Sequence, residues 1–581
     1  NIGHYWTLRV TILRAQLHHS QDFWSESDCY VTLRLPTAST RTHRTKTVPN
    51  SNAPVWNETF SFKPQNHLKV RPLYTCIYSV ILGLEMRLDF DLPPQETEYL
   101  KKRKGFVGQA LQKMLVPVIA VVGSGGGTRA MTGLFGSLRG LQQIVSQFGI
   151  CQANWSQQDI DTVISVMEER FTKSFMSSFS IEKLQYYQDE LDERLREGHI
   201  VSFVDMWGLI IEHLLFGKKN TSTLAEQERA VSEGQNPFPI YTAVNMKDRL
   251  TGCEPEAEWC EFTPYEVGIP KYGAFVRAED FGSQFFLGHM IKKLPEIRIP
   301  YLIGIWSSAF SVNLSQLWQF ATGAKPSWIA WTGPDVIGTV DNEPSTLDTY
   351  LINPITDVGK MVTDFFNSRP VVAQIHNFMS GLFLHWNYNE HCNFKAWKDT
   401  HPDAFPNRLT PADSTLNLVD SGHAINIGCV PILRPQREVD LIISLSYSWD
   451  PVLKRTAAYC EDHKIPFPSI DFAKLDSEPQ QELYIFEDEE NPSAPIVLHF
   501  PLVNVTYKQF KAPGVLRKGE EEIKSGGVDV KSSNSPYKTQ NLTYTVEDFR
   551  ALVDLTSYNV INNKESILKI IHRALERKTS Q

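Results

Sequence analysis

Six residues without a charge, Pro117-Val118-Ile119-Ala120-Val121-Val122, run directly into Gly123-Ser124-Gly125-Gly126-Gly127 and then Thr128-Arg129. A short apolar run closed by glycine reads as a strand buried on both faces, and Met131, Leu134, Leu138 and Leu141 then recur at helical spacing. Strand, tight turn and helix in that order commit the region to an α/β layer architecture. Glycines let the backbone take positive φ and bring several N–H groups onto one point, which suits a phosphate or the oxyanion of acyl transfer. A dinucleotide turn needs a third glycine and an acidic residue about 20 positions on. Here Thr128 stands at the third place, Ile144 to Asn154 contain no acidic residue, and no G-K-[ST] follows. A purely structural strand-to-helix turn is the plainer alternative.

At 581 residues the chain exceeds one ordinary core, so two or more domains are expected. Net charge −9 argues against a nucleic-acid partner. Eight scattered cysteines with no C-x-x-C fit a reducing compartment, so a cytosolic location is expected. The chain opens at Asn1 inside a strand-like pattern and reads as a fragment, with no signal peptide. No apolar run reaches the roughly 18 to 20 residues of a spanning helix, so membrane contact is expected to be peripheral.

Strands are expected at Trp6 to Leu13, Cys29 to Leu35 and Val55 to Phe62, as part of an antiparallel sandwich over residues 1–70. Residues 71–114 read as a linker and a basic helix around Tyr99 to Lys113, and 115–581 as an α/β domain with a mainly parallel sheet. A helix is expected over Ile181 to Glu197, with Ser180 as N-cap, Gly198 past its end, and Leu184, Tyr187, Leu191 and Leu195 on one face. Further strands are expected at 416–419, 439–445 and 496–500, and a cap or lid insertion around 285–415. The basic residues of a C-terminal helix over Lys564 to Lys578, and the run Lys101 to Lys104, read as solvated faces. His385, His391 and Cys392 cluster without the spacing of a zinc site.

The string Val122 to Met131, with Trp259 to Gly268, Lys271-Tyr272-Gly273-Ala274-Phe275, Val419-Asp420-Ser421-Gly422 and Leu433-Arg434-Pro435-Gln436-Arg437, resembles the cytosolic group IV phospholipase A2 family. The front segment, with Asp28 to Val31 and Pro54 to Phe60, resembles that family's C2 domain, and Leu184 to Gly198 with Gly234 to Pro237 looks closest to the epsilon-like members. The resemblance implies a three-layer patatin-like α/β catalytic domain behind a partial C2 sandwich. It also implies a phospholipase A2-type acyl-ester hydrolase that uses a serine–aspartate dyad and an acyl-enzyme at a phospholipid membrane surface. Gly126 and Gly127 would then supply oxyanion N–H groups, Arg129 would hold the substrate phosphate, and Asp420 would be the dyad base. Read from composition alone, Asp420 fits a strand-end Asx-turn better than a catalytic base, and it is the resemblance that reverses the order.

The family's G-x-S-G-S/A elbow is missing: no G-x-S-x-G occurs anywhere, and Ser146 stands where the elbow would be, among residues that could not build that turn. The nucleophile is therefore unknown. Calcium would enter through the C2 part, where Asp22, Asp28 and Asn50 match ligand-bearing positions, although Ser25 replaces an expected aspartate and the family pattern ends after Lys69. The alternatives to a hydrolase are a catalytically inactive phospholipid-binding protein, and a calcium-stimulated N-acyltransferase acting on phosphatidylethanolamine.

Overall fold

The computed structural model describes residues 8–14, 29–34, 42–49, 51, 53–62, 84–111, 116–125, 127–147, 159–173, 178, 180–246, 258–308, 372–382, 410, 413–447, 452–532, 534–538 and 541–580. They fall into two units, Asn1–Glu85 and Met86–Gln581.

The first unit is all β. Its strands are β1 (Leu8–Arg14), β2 (Thr32–Arg34), β3 (Thr42–Arg44) and β4 (Val55–Phe62), with β1 antiparallel to β4 and β2 antiparallel to β3. Period-two alternation turns Ile12 inward, to 2% exposure, between exposed Thr11 and Leu13. The third strand, Thr-His-Arg, is too short and polar to announce itself by alternation. Asp22, Asp28 and Asn50 lie outside the described residues, and so do His385, His391 and Cys392. Among the described residues no cluster of potential metal ligands is found.

The second unit opens with β5 (Met86–Leu88), α1 (Pro94–Leu111), β6 (Ile119–Gly123) and α2 (Thr128–Gln147). Next come α3 (Ile160–Phe171), α4 (Ile181–Glu197), α5 (Phe203–Phe216) and α6 (Glu228–Val231). A run of strands follows: β7 (Tyr241–Asn245), β8 (Glu258–Phe262), β9 (Glu266–Ile269), β10 (Ala274–Arg277), β11 (Gln284–Phe286) and β12 (His289–Lys292). Then come α7 (Ile299–Trp306), β13 (Ala373–His376), β14 (Thr415–Asp420), β15 (Leu441–Leu445), α8 (Val452–His463) and α9 (Phe472–Ser477). The unit ends with β16 (Tyr484–Phe486), β17 (Ile496–Phe500), β18 (Phe510–Ala512), β19 (Val515–Leu516), α10 (Gly519–Gly526), α11 (Val546–Asn562) and α12 (Lys564–Ser580).

The expected α/β class stands, but parallel pairing is confined to one sheet. In the four-stranded sheet, ordered β16-β17-β15-β6, β15 runs parallel to both β6 and β17 and is buried along its whole length, whereas β6, read from its apolar run as buried, is an edge strand and leaves Ile119 and Val121 exposed. The seven-stranded sheet, ordered β13-β14-β7-β8-β9-β10-β5, is antiparallel at every neighbouring pair. Connections as short as Thr263–Tyr265 and Pro270–Gly273 force that sense, because a parallel crossover needs a dozen or more residues. Within the span read as linker and helix, Met86–Leu88 forms this sheet's β5 edge. Within the span read as a lid, β13 forms the opposite edge.

Helix α4 follows its sequence signals: Ser180 Oγ accepts from the Lys183 N–H at 3.4 Å, and Gly198 closes the helix at φ 104°. Leu184, Tyr187 and Leu191 are buried, while Leu195 is exposed. Helix α2 behaves differently. Its leucine stripe is only half-buried, whereas Gly133, Gly136 and Gly140 are buried. A Cβ on Gly136 would come within 2.3 Å of the Val553 carbonyl oxygen, and one on Gly140 within 2.8 Å of the Ser557 carbonyl oxygen. The glycines thus let α2 and α11 approach backbone to backbone.

Two runs read as solvated basic faces keep Lys101, Lys104 and Lys569 exposed, yet several of their side chains are tied to the protein. Lys104 pairs with Glu438 at 2.8 Å, while Arg103 donates to the carbonyls of Gly234 and Gln235. On α12, Arg573 reaches Glu487 and Glu489, Arg577 reaches Glu487, and Lys578 reaches Asp440. Their acidic partners are remote in sequence, which is why charge patterning alone left these faces to solvent.

Candidate active site

The glycine turn is held by its neighbours on two sides. Strand β6 pairs in register with β15, Gly123 opposite Leu445, and the Ser124 N–H continues the ladder by donating to the Leu445 carbonyl at 2.9 Å. Ser124 Oγ then accepts from the Tyr447 N–H at 2.7 Å. Gly125 sits at φ 82°, and a Cβ there would lie 2.8 Å from that of Ala130, so the position requires glycine. Helix α2 starts at Thr128, which places Gly127 where the first N–H groups of a helix have no intrahelical partner and the helix dipole favours negative charge. Gly126 lies outside the described residues.

Asp420 ends β14, opposite Ala243 of β7, and is 5% exposed. Its Oδ1 accepts from the Gly422 N–H at 2.8 Å, and its own N–H donates to Ser308 Oγ at 2.8 Å. Ser421 Oγ lies 2.7 Å from Thr242 Oγ1. The Asx-turn geometry is therefore present, and it fixes one carboxylate oxygen while burying the group at a strand end.

Six residues further on, the same segment grips the glycine turn. The Gly125 N–H donates to the Asn426 carbonyl at 3.3 Å, and Ser124 bridges Ile427. A Cβ on Gly422 would stand 3.1 Å from Asp420 Oδ1 and 3.4 Å from Asn426 Oδ1, so Asn426 borders both the carboxylate and the turn. Asn426, Ser308 and Thr242 were not legible as site residues: single polar residues in apolar or loop text carry no spacing signal.

Arg129 is the second residue of α2. Its guanidinium donates to the Tyr537 carbonyl at 3.1 Å, and Thr128 Oγ1 donates to the Leu542 carbonyl at 2.8 Å. Burial pulls the Arg129 pKa below its ordinary value, and the nearby Tyr544 hydroxyl opposes that shift.

Candidate nucleophiles fare less well. Ser146 belongs to the last turn of α2, 18 residues from Thr128, hence about 27 Å along the axis from the glycine turn at 1.5 Å per residue. Ser444 Oγ lies 2.9 Å from His499 Nδ1, yet Ser444 is fully buried within the sheet, and burial lowers the His499 pKa to about 4. That pair is core structure. The Arg-Pro-Gln-Arg motif is likewise structural: Arg437 joins Glu96 at 2.7 Å to Glu261 at 3.0 Å, and Arg434 also binds Glu261.

Comparison with known proteins matches residues 149–458 to the lysophospholipase catalytic domain family and residues 6–80 to the C2 domain family. Asp420 falls inside the first match and the glycine turn precedes it. Human cytosolic phospholipase A2 zeta is 45% identical over 530 residues, which cover 85% of this chain and 62% of that protein. Human cytosolic phospholipase A2 epsilon is 39% identical over 535 residues, 85% of this chain and 61% of that protein. The chain thus spans about three fifths of the length of the curated relatives it matches. A solved structure of human GIVD cytosolic phospholipase A2 superposes with TM-score 0.75 at 28% identity, covering 99% of both chains. No described helix is long and apolar enough to cross a membrane. With more than half of its residues inside the catalytic-domain match, the chain belongs to the lysophospholipase catalytic domain family, among its C2-bearing cytosolic phospholipase A2 members.

Proposed function

We propose that this chain serves a phospholipase A2-type reaction, the hydrolysis of an acyl ester of a membrane glycerophospholipid. The observation that carries the reading is the grip of Asn426–Ile427 on Ser124–Gly125, which puts the segment of Asp420 against the turn that would receive the oxyanion. In the reaction, a serine hydroxyl gives its proton to Asp420 and its oxygen bonds to the carbonyl carbon. The N–H groups of Gly126 and Gly127 would meet the developing negative oxygen, Gly127 standing at the head of α2, and Arg129 would hold the phosphate of the same lipid. Collapse breaks the ester bond, Asp420 returns the proton to the departing lysophospholipid, and water then frees the fatty acid from the serine. Calcium would act through the C2 unit, with Asp22, Asp28 and Asn50 as its ligands, to recruit the protein to the membrane.

A second reading is favoured by a specific observation, the absence of any G-x-S-x-G together with the remoteness of Ser146 from the turn. In it the chain binds phospholipid through the same turn and does not turn it over. Relatives of this fold include one whose solved complex contains methyl gamma-linolenyl fluorophosphonate, and such a probe separates the readings. Stoichiometric labelling of one serine, located by peptide mass spectrometry, supports the hydrolase. No labelling, with phospholipid binding retained, supports the binder. Product analysis with phosphatidylethanolamine present tests whether an amine rather than water accepts the acyl group.

A further inference from the structure

We infer that the β18–β19 hairpin and the adjoining helix α10 form a rigid tip that inserts into an anionic phospholipid surface. Ala512-Pro513-Gly514-Val515-Leu516 are five consecutive residues without a polar side chain, and all are exposed. Val515 is 45% exposed, Leu516 56%, and Ile523 on α10 58%. A run of that kind on a folded surface marks either a contact site or an aggregation hazard.

Its shape narrows the choice. Successive strand residues point to opposite faces, so the exposure of both Val515 and Leu516 leaves the β19 arm open on both sides, while Lys511 to Pro513 on the other arm line a cleft with Arg550 and Asp554. Pro513 followed by Gly514 at φ 74° has the residues a type II turn demands, and a Cβ on Gly514 would find nothing within 4 Å. The base is firmly tied. Phe510 packs on the core with Tyr507. Arg517 lies over the Tyr507 ring and donates to the carbonyls of Tyr507 at 2.9 Å and Glu522 at 3.0 Å. Asn504 Nδ2 ties down the end of α10 through the Gly526 carbonyl at 2.8 Å. A stable protein interface needs about 800 Å² of fitted surface from each partner, which a narrow projecting turn does not offer.

Charge selects the kind of lipid. In a chain of net charge −9, residues 508–524 carry five basic side chains (Lys508, Lys511, Arg517, Lys518, Lys524) against three acidic ones (Glu520, Glu521, Glu522). Glu522 is already engaged, by Lys511 at 2.6 Å and by the Lys518 N–H at 2.7 Å. Apolar side chains beside exposed lysines make the composition of an interfacial anchor on anionic lipid. The choice of lipid as occupant rests on the proposed phospholipid substrate; the exposed, rigid tip does not.

The test is sedimentation of the full chain with vesicles of phosphatidylcholine, with and without phosphatidylserine, in chelator so that calcium-dependent contact is silent. V515D/L516D should lower the bound fraction about tenfold or more, given the apolar area withdrawn from lipid. K518E/K524E should weaken binding only where phosphatidylserine is present. Leu516→Trp should show blue-shifted emission on vesicles. Near-UV circular dichroism checks that each variant remains folded. Equal partitioning of V515D/L516D and the parent overturns the inference, as does unshifted Trp emission. A parent chain that self-associates in ultracentrifugation and is dispersed by V515D/L516D makes the tip a contact between copies and also overturns it. Because binding is read without turnover, a chain that fails to label with fluorophosphonate can still support the tip, and a labelled chain can still refute it.

Discussion

Asp420 is where a single atom decides between a structural and a chemical role. Its Oδ1 is committed to the Gly422 N–H, a bond that an amide oxygen can also accept. Asp420→Asn should therefore fold with a melting temperature near that of the parent while losing about 10²-fold or more of any turnover, since the proton acceptor is gone. Rates with a phospholipid substrate, measured beside thermal unfolding, check this, and an unchanged rate would remove Asp420 from the reaction. Gly125 makes the complementary case. Gly125→Ala forces a Cβ into a positive-φ residue and to 2.8 Å of the Ala130 Cβ, so a loss of about 1–3 kcal/mol in chemical denaturation is expected.

At the scale of elements, α2 shows how far sequence carried and where it stopped. Its start, direction and helical period were readable from the apolar run, the glycines and the spaced leucines, and α4 was readable down to its caps. Which face of α2 packs tightest was not, because the approach of two helices is a property of both. The half-buried leucines gave the period, while the buried glycines set the distance to α11. Gly136→Ala should thus cost about 1–3 kcal/mol although alanine is the better helix former, because its Cβ would meet the backbone of α11 at Val553. Gly105→Ala on α1, where a Cβ meets nothing within 4 Å, should instead add about 0.5–1 kcal/mol. Urea denaturation of the two variants checks the contrast. In the site, the turn was legible through its glycines and Asp420 through resemblance to a family. Asn426, which borders both, was invisible, because its role comes from a crossing of loops remote in sequence.

Across the whole molecule, two buried histidines and the buried Glu261 tie stability to pH in one direction. Burial lowers the pKa of His499 to about 4 and, more than Arg194 does, that of His199 to about 3. Both are neutral in the folded protein at pH 7, whereas in the unfolded chain they take up protons below about 6.5. The unfolded state therefore binds more protons between those limits, so stability is complete above pH 6.5 and falls as pH drops toward 4 and then 3. Glu261 acts in the same sense. Burial alone would raise its pKa, but Arg437 and Arg434 hold it below the usual carboxylate value, so the clamp that joins Glu96 of α1 to the β8 strand also weakens in acid. The contribution of His499 is on the order of 3 kcal/mol between pH 6.5 and 4. His499→Asn keeps an oxygen for Ser444 Oγ and cannot be protonated there, so its unfolding free energy should fall less steeply than that of the parent across that window. Denaturation midpoints at pH 7, 5.5 and 4 measure the difference, and parallel curves for the two proteins would mean that acid acts elsewhere in the core.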